Sequence, residues 1–191
     1  MKRFISLLIL LSVMAMLSAC SSKTSLELID KEVKIYRDKE RTGSMILKTG
    51  EEAGQEVIPA TLSYSFSIKN VGSKKVGEAN EDEDLMVRIE PNEKLLTVSK
   101  EVMGFNIFSP EEYSIERAGL RYEHSFRSVL EPNSVGQYFF KYTLGYVEET
   151  EEVFAPSKEQ LGKLKENAFE ATLVVLVGNE EIARFHLSKK E

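Results

Sequence analysis

An alternation of apolar and polar residues between positions 61 and 69 constrains the fold of this chain more than any other feature. The apolar positions are Leu62, Tyr64, Phe66 and Ile68, and they alternate with serines and a lysine. Because successive side chains of a β-strand point to opposite faces, this period of two predicts a strand with one buried face and one exposed face. The turn-forming residues 70–72 (Asn-Val-Gly) then end the strand. The chain must therefore contain a sheet that covers a core on one side.

The same period recurs along much of the chain. It predicts strands at residues 85–89, 120–128 and 138–146, each bounded by turn-forming residues. The run 173–177 (LVVLV) is apolar on both faces, which is typical of a central strand, and residues 178–180 predict a hairpin to a return strand containing Ala183, Phe185 and Leu187. Weaker patterns predict further strands at 26–36, 45–48, 95–99 and 105–108.

One helix is predicted between the strand at 138–146 and the strand at 173–177. Ser157 follows Pro156 and has Gln160 three residues later, which is the spacing of a capping box. Leu161 and Leu164 then share one helical face. We expect a helix over residues 158–166 that connects strands of the same domain.

Short strands with one connecting helix favour a mainly β fold, an immunoglobulin-like antiparallel β-sandwich with one short crossover helix near 157–167. Tyr64–Gly72 (YSFSIKNVG) resembles a strand and turn of immunoglobulin-like domains in bacterial surface proteins, and Leu130–Tyr142 resembles the turn that enters a late strand of such domains. The chain has no Trp and one Cys, so the cysteine pair and core Trp of antibody domains are missing. The resemblance therefore concerns architecture only.

The N-terminus carries a different kind of signal. Lys2 and Arg3 precede an apolar run from Phe4 to Met16, and the tetrapeptide 17–20 (Leu-Ser-Ala-Cys) contains the only cysteine. This run is too short for a spanning helix, which needs about 20 apolar residues, and it suits a secretory signal. The whole segment resembles the lipobox signal peptide of bacterial lipoproteins.

The lipoprotein resemblance implies an anchor and an address. Cys20 would carry a diacylglyceryl group, with palmitate as an expected acyl chain, and the resemblance leaves open whether its new amine is acylated after cleavage. Residues 1–19 would be removed, 20–25 would form the lipidated Cys and a short tether, and 26–191 would form a single β-sandwich domain. Two acyl chains hold a protein on a membrane stably. We expect the domain on the outer face of a bacterial cytoplasmic membrane or, alternatively, as a periplasmic lipoprotein of a Gram-negative envelope.

The charge of the chain argues against nucleic acid as a partner. The formal charge is −6, and loss of Lys2 and Arg3 with the signal would change it to −8. Nucleic-acid binding requires a basic surface, so we expect no nucleic-acid partner.

Sequence motifs for catalysis are missing. The chain has no Gly-x-Ser-x-Gly, Ser-x-x-Lys, His-Glu-x-x-His or P-loop pattern, and its histidines, His124 and His186, are not locally paired. His124 is a general base in a cleft in one interpretation, and a core or rim histidine with a satisfied hydrogen bond in the other. We name no catalytic residue, cofactor or metal.

Two features could form binding sites. The spacing of Asn80, Asp82 and Asp84 resembles the start of an EF-hand, but Leu85 replaces the required glycine, and a solvated loop is the alternative. A second acidic run, at 148–152, fits a loop. The aromatic strand 138–146 could form a binding face, with Phe139 opposite the other aromatic residues, or simply a core.

These observations favour a lipid-anchored, non-enzymatic interaction or envelope-structural module with an envelope protein or cell-wall partner. The alternative is an extracytoplasmic enzyme or small-ligand-binding protein whose site is assembled from scattered residues.

Overall fold

The computed structural model describes residues 25–48, 50–80, 82–112, 120, 122–125, 127–150 and 153–188. Cys20 and the segment that resembles a lipoprotein signal lie outside these residues, so lipidation stays a prediction. In the described part of the chain, no helix is long and apolar enough to cross a membrane.

The larger sheet has four antiparallel strands. In spatial order they are β1 (Leu26–Tyr36), β4 (Pro59–Asn70), β7 (Val135–Tyr146) and β6 (Tyr122–Ser125). β4 is paired with β1 and β7, and β7 is paired with β4 and β6. The backbone groups of both central strands therefore hydrogen bond to neighbouring strands on both sides.

The predicted alternation is confirmed in both central strands. The inward residues of β4 and β7 are buried, and they are Leu62, Tyr64, Phe66, Ile68, Tyr138, Phe140, Tyr142 and Leu144. Their rings contact one another; for example, the ring centroids of Phe66 and Phe140 are 6.1 Å apart in an edge arrangement. Full burial of an aliphatic or Phe side chain of this size stabilises the fold by about 1.5–3 kcal/mol. This buried layer holds β4 and β7 in place, and the other face of the same two strands is exposed to solvent.

The smaller sheet has three antiparallel strands, β5 (Leu85–Pro91), β8 (Ala171–Val177) and β9 (Glu180–His186), in this spatial order. The apolar run 173–177 is thus central, as its composition predicts. Two two-residue strands, β2 (Met45–Ile46) and β3 (Glu56–Val57), form a separate ribbon. The strand predicted over 45–48 is shorter than expected.

Both sheets contribute to one hydrophobic core. Leu85, Val87, Leu173 and Val175 of the smaller sheet belong to the same buried cluster as the inward residues of the larger sheet. The buried hydroxyl of Tyr64 donates to the carbonyl of Ala168 at 3.0 Å and so joins the larger sheet to the segment before β8. The mainly β, antiparallel prediction is confirmed.

The predicted helix is present as a helix at Lys158–Asn167, with the expected capping box between Ser157 and Gln160. Two other helices occur in the described residues: α1 (Lys39–Thr42) and α2 (Glu93–Met103). The helix at Lys158–Asn167 is therefore α3, and the prediction of a single helix is wrong. The ammonium of Lys163 on α3 forms an ion pair with Glu101 on α2.

Helix α2 replaces the strand predicted at 95–99, and its end signals explain why. The side chain of Asn92 caps its first turn by accepting a hydrogen bond from the amide of Leu95. Gly104 ends it in the left-handed conformation at φ 83°. Leu95, Val98 and Val102 then face the core with helical spacing. The strand predicted at 105–108 is also wrong, because this segment follows the helix as a loop in which Ser99 accepts from the amide of Ile107.

Candidate functional site

The outer face of the four-stranded sheet forms an open groove of about 450 Å³, which we call the serine groove. Its floor and walls come from all four strands and from α1. They include Glu32, Lys34 and Tyr36 of β1, Arg41 of α1, Ser63 and Ser65 of β4, Phe139 and Lys141 of β7, and Glu123, His124 and Ser125 of β6. The groove thus joins residues that are up to about a hundred positions apart in sequence.

The groove exists because the central strand β4 carries short side chains, Ser63 and Ser65, at the middle of this face. Ser63 and Ser65 lie opposite Lys34 and Glu32 of β1, whose side chains are longer. Within the described residues, the hydroxyls of Ser63, Ser65 and Ser125 have no hydrogen-bond partner, whereas Ser67 is bonded to Gln137 at 2.9 Å. The floor therefore offers hydroxyl groups that can donate to and accept from a ligand.

Phe139 lies in the middle of this face. In the strand register it has Ser65 on one side and Ser125 on the other. Because both neighbours are short, the ring stays 40% exposed, unlike the inward aromatic residues of the same strand. The expectation that Phe139 points away from the other aromatic residues is confirmed, and the expectation that those residues form a core is confirmed too.

Lys34 and Glu32 form an ion pair on one wall of the groove. The ammonium lies 2.6 Å from the carboxylate, and both side chains are about half exposed. The hydrogen bond to Glu32 raises the pKa of Lys34 above its usual value. The charges of this pair offset each other.

Arg41 is placed beside the groove by the short helix α1. Asp38 caps the helix by accepting a hydrogen bond from the amide of Arg41 at 3.0 Å, and Gly43 ends it at φ 70°. Glu56 of β3 anchors both sides of the turn, because its carboxylate accepts from Lys39 at 2.6 Å and from Ser44 at 2.5 Å. These two hydrogen bonds lower the pKa of Glu56.

The guanidinium of Arg41 lies over the ring of Tyr36, 5.7 Å from its centroid. This is within the range of a cation–π contact, which holds the charge near the groove without neutralising it. In the described part of the chain, Arg41 forms no ion pair.

Lys141 and Glu123 lie directly opposite each other on β7 and β6. Neither forms an ion pair with any described residue. Both side chains are exposed. They remain available to bind a ligand by charge and hydrogen bonds.

A second, smaller depression of about 170 Å³ continues the groove toward β2. It shares Tyr36, Arg41, Glu123 and Lys141 with the serine groove, and it adds Thr61 and Thr143. The two depressions form one trough, and the cations Arg41 and Lys141 lie where they meet.

The two histidines lie in different sheets, and both are exposed. His124 lies at the groove, and its ring centroid is 5.4 Å from that of Tyr122. His186 lies on β9, where Nδ1 is 3.2 Å from the hydroxyl of Thr172. The interpretation of His124 as a residue at the rim of the fold agrees with this position, and its interpretation as a core residue does not.

The acidic run near position 80 adopts a loop. The side chain of Asn80 accepts a hydrogen bond from the amide of Glu83 at 2.9 Å. Glu81 lies outside the described residues, as do Glu151 and Glu152 of the second acidic run. Across the residues with described positions, no three His, Cys, Asp or Glu side chains come close enough to hold a metal ion.

Comparison of the chain with protein-family models, with curated proteins and with solved structures gives no match.

Sequence reasoning finds some of these groove residues and misses others. It identifies Phe139, because alternation places this residue on the face opposite the buried aromatic residues. For His124 alternation predicts the inward face, and the register agrees, because His124 is paired with the inward residue Phe140. It misses Arg41 and the pairing of Lys141 with Glu123. The Asp38 cap and Gly43 could have indicated a short helical turn at 39–42, but no local pattern shows that this turn lies beside strands from the middle of the chain.

Proposed function

We propose that this protein is a lipid-anchored, extracytoplasmic binding module of the bacterial envelope that holds its partner in the serine groove and performs no chemistry on it. The observation that carries the proposal is the groove itself. It is open and central in the sheet, and it offers hydroxyls, an exposed aromatic ring and unpaired charges of both signs. Such a surface can bind by many weak, directed contacts.

The anchor in this proposal is Cys20, supported by the lipobox resemblance at 17–20 and the short apolar run before it. The domain would be held on the outer face of the cytoplasmic membrane, or in the periplasm as a Gram-negative lipoprotein. Its partner would be an envelope protein or a cell-wall component. Mass spectrometry of the native protein should show loss of residues 1–19 and a diacylglyceryl adduct, and Cys20→Ala should prevent both. A processed, membrane-free Ala variant would contradict the anchor.

We also propose that the fold is an immunoglobulin-like β-sandwich. Two antiparallel sheets with a shared core support this, as does the position of the two resembling segments, Tyr64–Gly72 and Leu130–Tyr142, on the neighbouring strands β4 and β7. Domains of this architecture often serve as adhesion or assembly modules, which agrees with a binding role by fold analogy alone.

Photo-crosslinking in cells tests the binding role. Benzoylphenylalanine in place of Phe139 puts the reactive group in the groove, and the same residue in place of exposed Thr97 on α2 is the matched control. We expect reproducible crosslinks to an envelope component from position 139 only. Ser65→Arg should fill the groove and abolish these crosslinks without loss of folding. Equal crosslinking from both positions, or none from position 139, would contradict the proposal.

The second candidate is an extracytoplasmic enzyme or small-ligand-binding protein, and the observation in its favour is that His124 and Glu123 both line the groove. Under the binding proposal, His124→Ala leaves the cellular phenotype unchanged while the protein stays folded. Loss of function in a folded His124→Ala protein, together with the absence of a crosslinked partner at position 139, would favour the enzyme.

A further inference from the structure

We propose that the ligand of the serine groove is an acidic polysaccharide, with its carboxylates held by Arg41 and Lys141 and a sugar ring packed on Phe139. This inference depends on the proposed binding function and specifies the chemistry of the partner.

The charge of the groove is complementary to that of an anionic ligand. The protein is acidic overall, with a formal charge of −6. The groove nevertheless has three cations, Lys34, Arg41 and Lys141, against the two carboxylates of Glu32 and Glu123. Lys34 is paired with Glu32, which leaves Arg41 and Lys141 against Glu123 and gives the groove an excess of one positive charge. A locally cationic groove in an otherwise acidic protein attracts anionic ligands to that groove and not to the rest of the surface.

Exposed cations outside the groove are of both kinds: Lys75 pairs with Glu78 at 2.7 Å and Lys94 with Glu170 at 3.1 Å, whereas Lys100 and Lys165 form no ion pair with any described residue. What distinguishes Arg41 and Lys141 is that they lie together in one groove. Arg41 lies over the ring of Tyr36, and Lys141 lies opposite Glu123 without forming an ion pair with it. Their charges are not used within the described residues.

The strand pairing of the groove floor indicates that a ligand is bound by side chains and not by backbone groups. β4 and β7 are paired on both sides, so neither can accept an extended peptide as an additional strand. A ligand on this face can contact only hydroxyls, charged groups and the ring of Phe139. Sugar units fit these contacts, because their hydroxyls bond to serine and carboxylate oxygens and their C–H faces pack on the electron-rich face of an aromatic ring.

The shape of the site favours a chain over a single small molecule. The serine groove and the adjoining depression share four residues and form a trough that is open to solvent. Arg41 and Lys141 lie at the junction, so a polymer lying along the trough would pass both cations and the ring.

The experiment uses the full chain, purified from membranes in a nonionic detergent, with a fluorescent galacturonate oligomer as the probe. The methyl ester of the same oligomer keeps the sugar backbone and removes the charge, and poly-L-glutamate of equal charge represents an acidic peptide. Fluorescence anisotropy is measured at low and at physiological ionic strength. We expect the free acid to bind more tightly than its ester and than poly-L-glutamate, and to bind more weakly as salt rises.

The variants assign the binding to the groove. Arg41→Gln and Lys141→Gln should each weaken binding of the free acid by roughly two- to fivefold, as expected for exposed charge pairs, and should leave the ester unaffected. Phe139→Ala should weaken both forms by a similar factor. Lys165→Gln, which removes an exposed charge from the last turn of α3, is the matched control and should change nothing. Melting curves confirm that each variant is folded.

Each contrary outcome has a defined meaning. Tighter binding of poly-L-glutamate overturns the polysaccharide in favour of an acidic peptide. Equal loss with Lys165→Gln shows attraction to any exposed cation and overturns the site. Absence of glycan binding with persistent crosslinks from position 139 refutes the ligand class but leaves the proposed function standing. Absence of both refutes the proposed function as well.

Discussion

The exposed faces of the two sheets use similar residues in different arrangements. On the smaller sheet, Val174 has Arg88 and Arg184 as its register neighbours, and it is fully buried because long arginine stems can cover a small central residue. On the larger sheet, Phe139 has Ser65 and Ser125 as neighbours and remains 40% exposed. The length of the flanking side chains thus decides whether a sheet face is closed or open.

The charged side chains of the two sheets also differ, because those of the smaller sheet are paired with one another and several at the larger sheet are not. On the smaller sheet, Glu90 accepts from Arg88 at 2.5 Å and from Arg184 at 2.7 Å, and Arg184 also pairs with Glu181. On the larger sheet, Arg41, Lys141 and Glu123 form no ion pair with described residues. A closed face with an internal ion-pair network suits a structural surface, and an open face with unused charges suits binding.

The largest effect is expected below the open face. Phe66→Ala should lower the free energy of unfolding by about 3–5 kcal/mol, because Phe66 is fully buried in the layer that supports the groove. Urea unfolding monitored by circular dichroism measures this difference. A near-neutral result would mean that the inward face of β4 is not packed, and the contrast between its faces would fail.

The next comparison sets Val174 against Phe139. Val174→Ala should cost about 1–3 kcal/mol of unfolding free energy, because it leaves a cavity under the arginines. Phe139→Ala should cost about 1 kcal/mol or less although it removes a larger side chain, because much of the ring is already in water. The same unfolding assay decides the order, and a reversed order would show that the groove is covered.

The smallest effect concerns the ion pairs. Partial burial of Glu90 favours its neutral form, but hydrogen bonds from Arg184 and Arg88 outweigh this and lower its pKa. A lowered folded-state pKa gives stability that is present above the unfolded value near 4.5 and is lost as the pH falls through the folded value. Glu90→Gln should therefore destabilise the protein by up to about 1 kcal/mol at neutral pH.

As the pH falls from neutral through the lowered folded-state pKa of Glu90, the stability difference between Glu90→Gln and the native protein should shrink, and it should vanish where Glu90 is protonated in both the folded and the unfolded state. Glu123→Gln on the open face is the matched control, and its effect on stability should be close to zero at neutral and at acidic pH. Unfolding at low ionic strength measures both variants. Equal effects of the two substitutions would remove the distinction between a networked and an unused carboxylate.

Local pattern was sufficient for most of the strands, because burial of one face enforces a period of two. Residues 62–68 and 85–89 show it directly, and the run 173–177 was recognised instead by being apolar on both faces. It was misleading at Leu95–Ser99, where short apolar runs fit strand and helix alike. There the Asn92 cap and Gly104 decide for a helix, and these two end signals are readable in the sequence.

By itself, the sequence determined which residues of β4 and β7 face the core, that Phe139 faces away from it, and where the helix Lys158–Asn167 begins. Only the tertiary structure decided that β4 and β7 are neighbours, that α1 brings Arg41 to their outer face, and that Lys141 lies opposite Glu123. The physical reason is range. Side-chain alternation and caps act between residues a few positions apart. The groove depends instead on strand pairing between distant segments, such as that of Ser63 with Lys141, which are 78 positions apart, and no local pattern encodes this pairing.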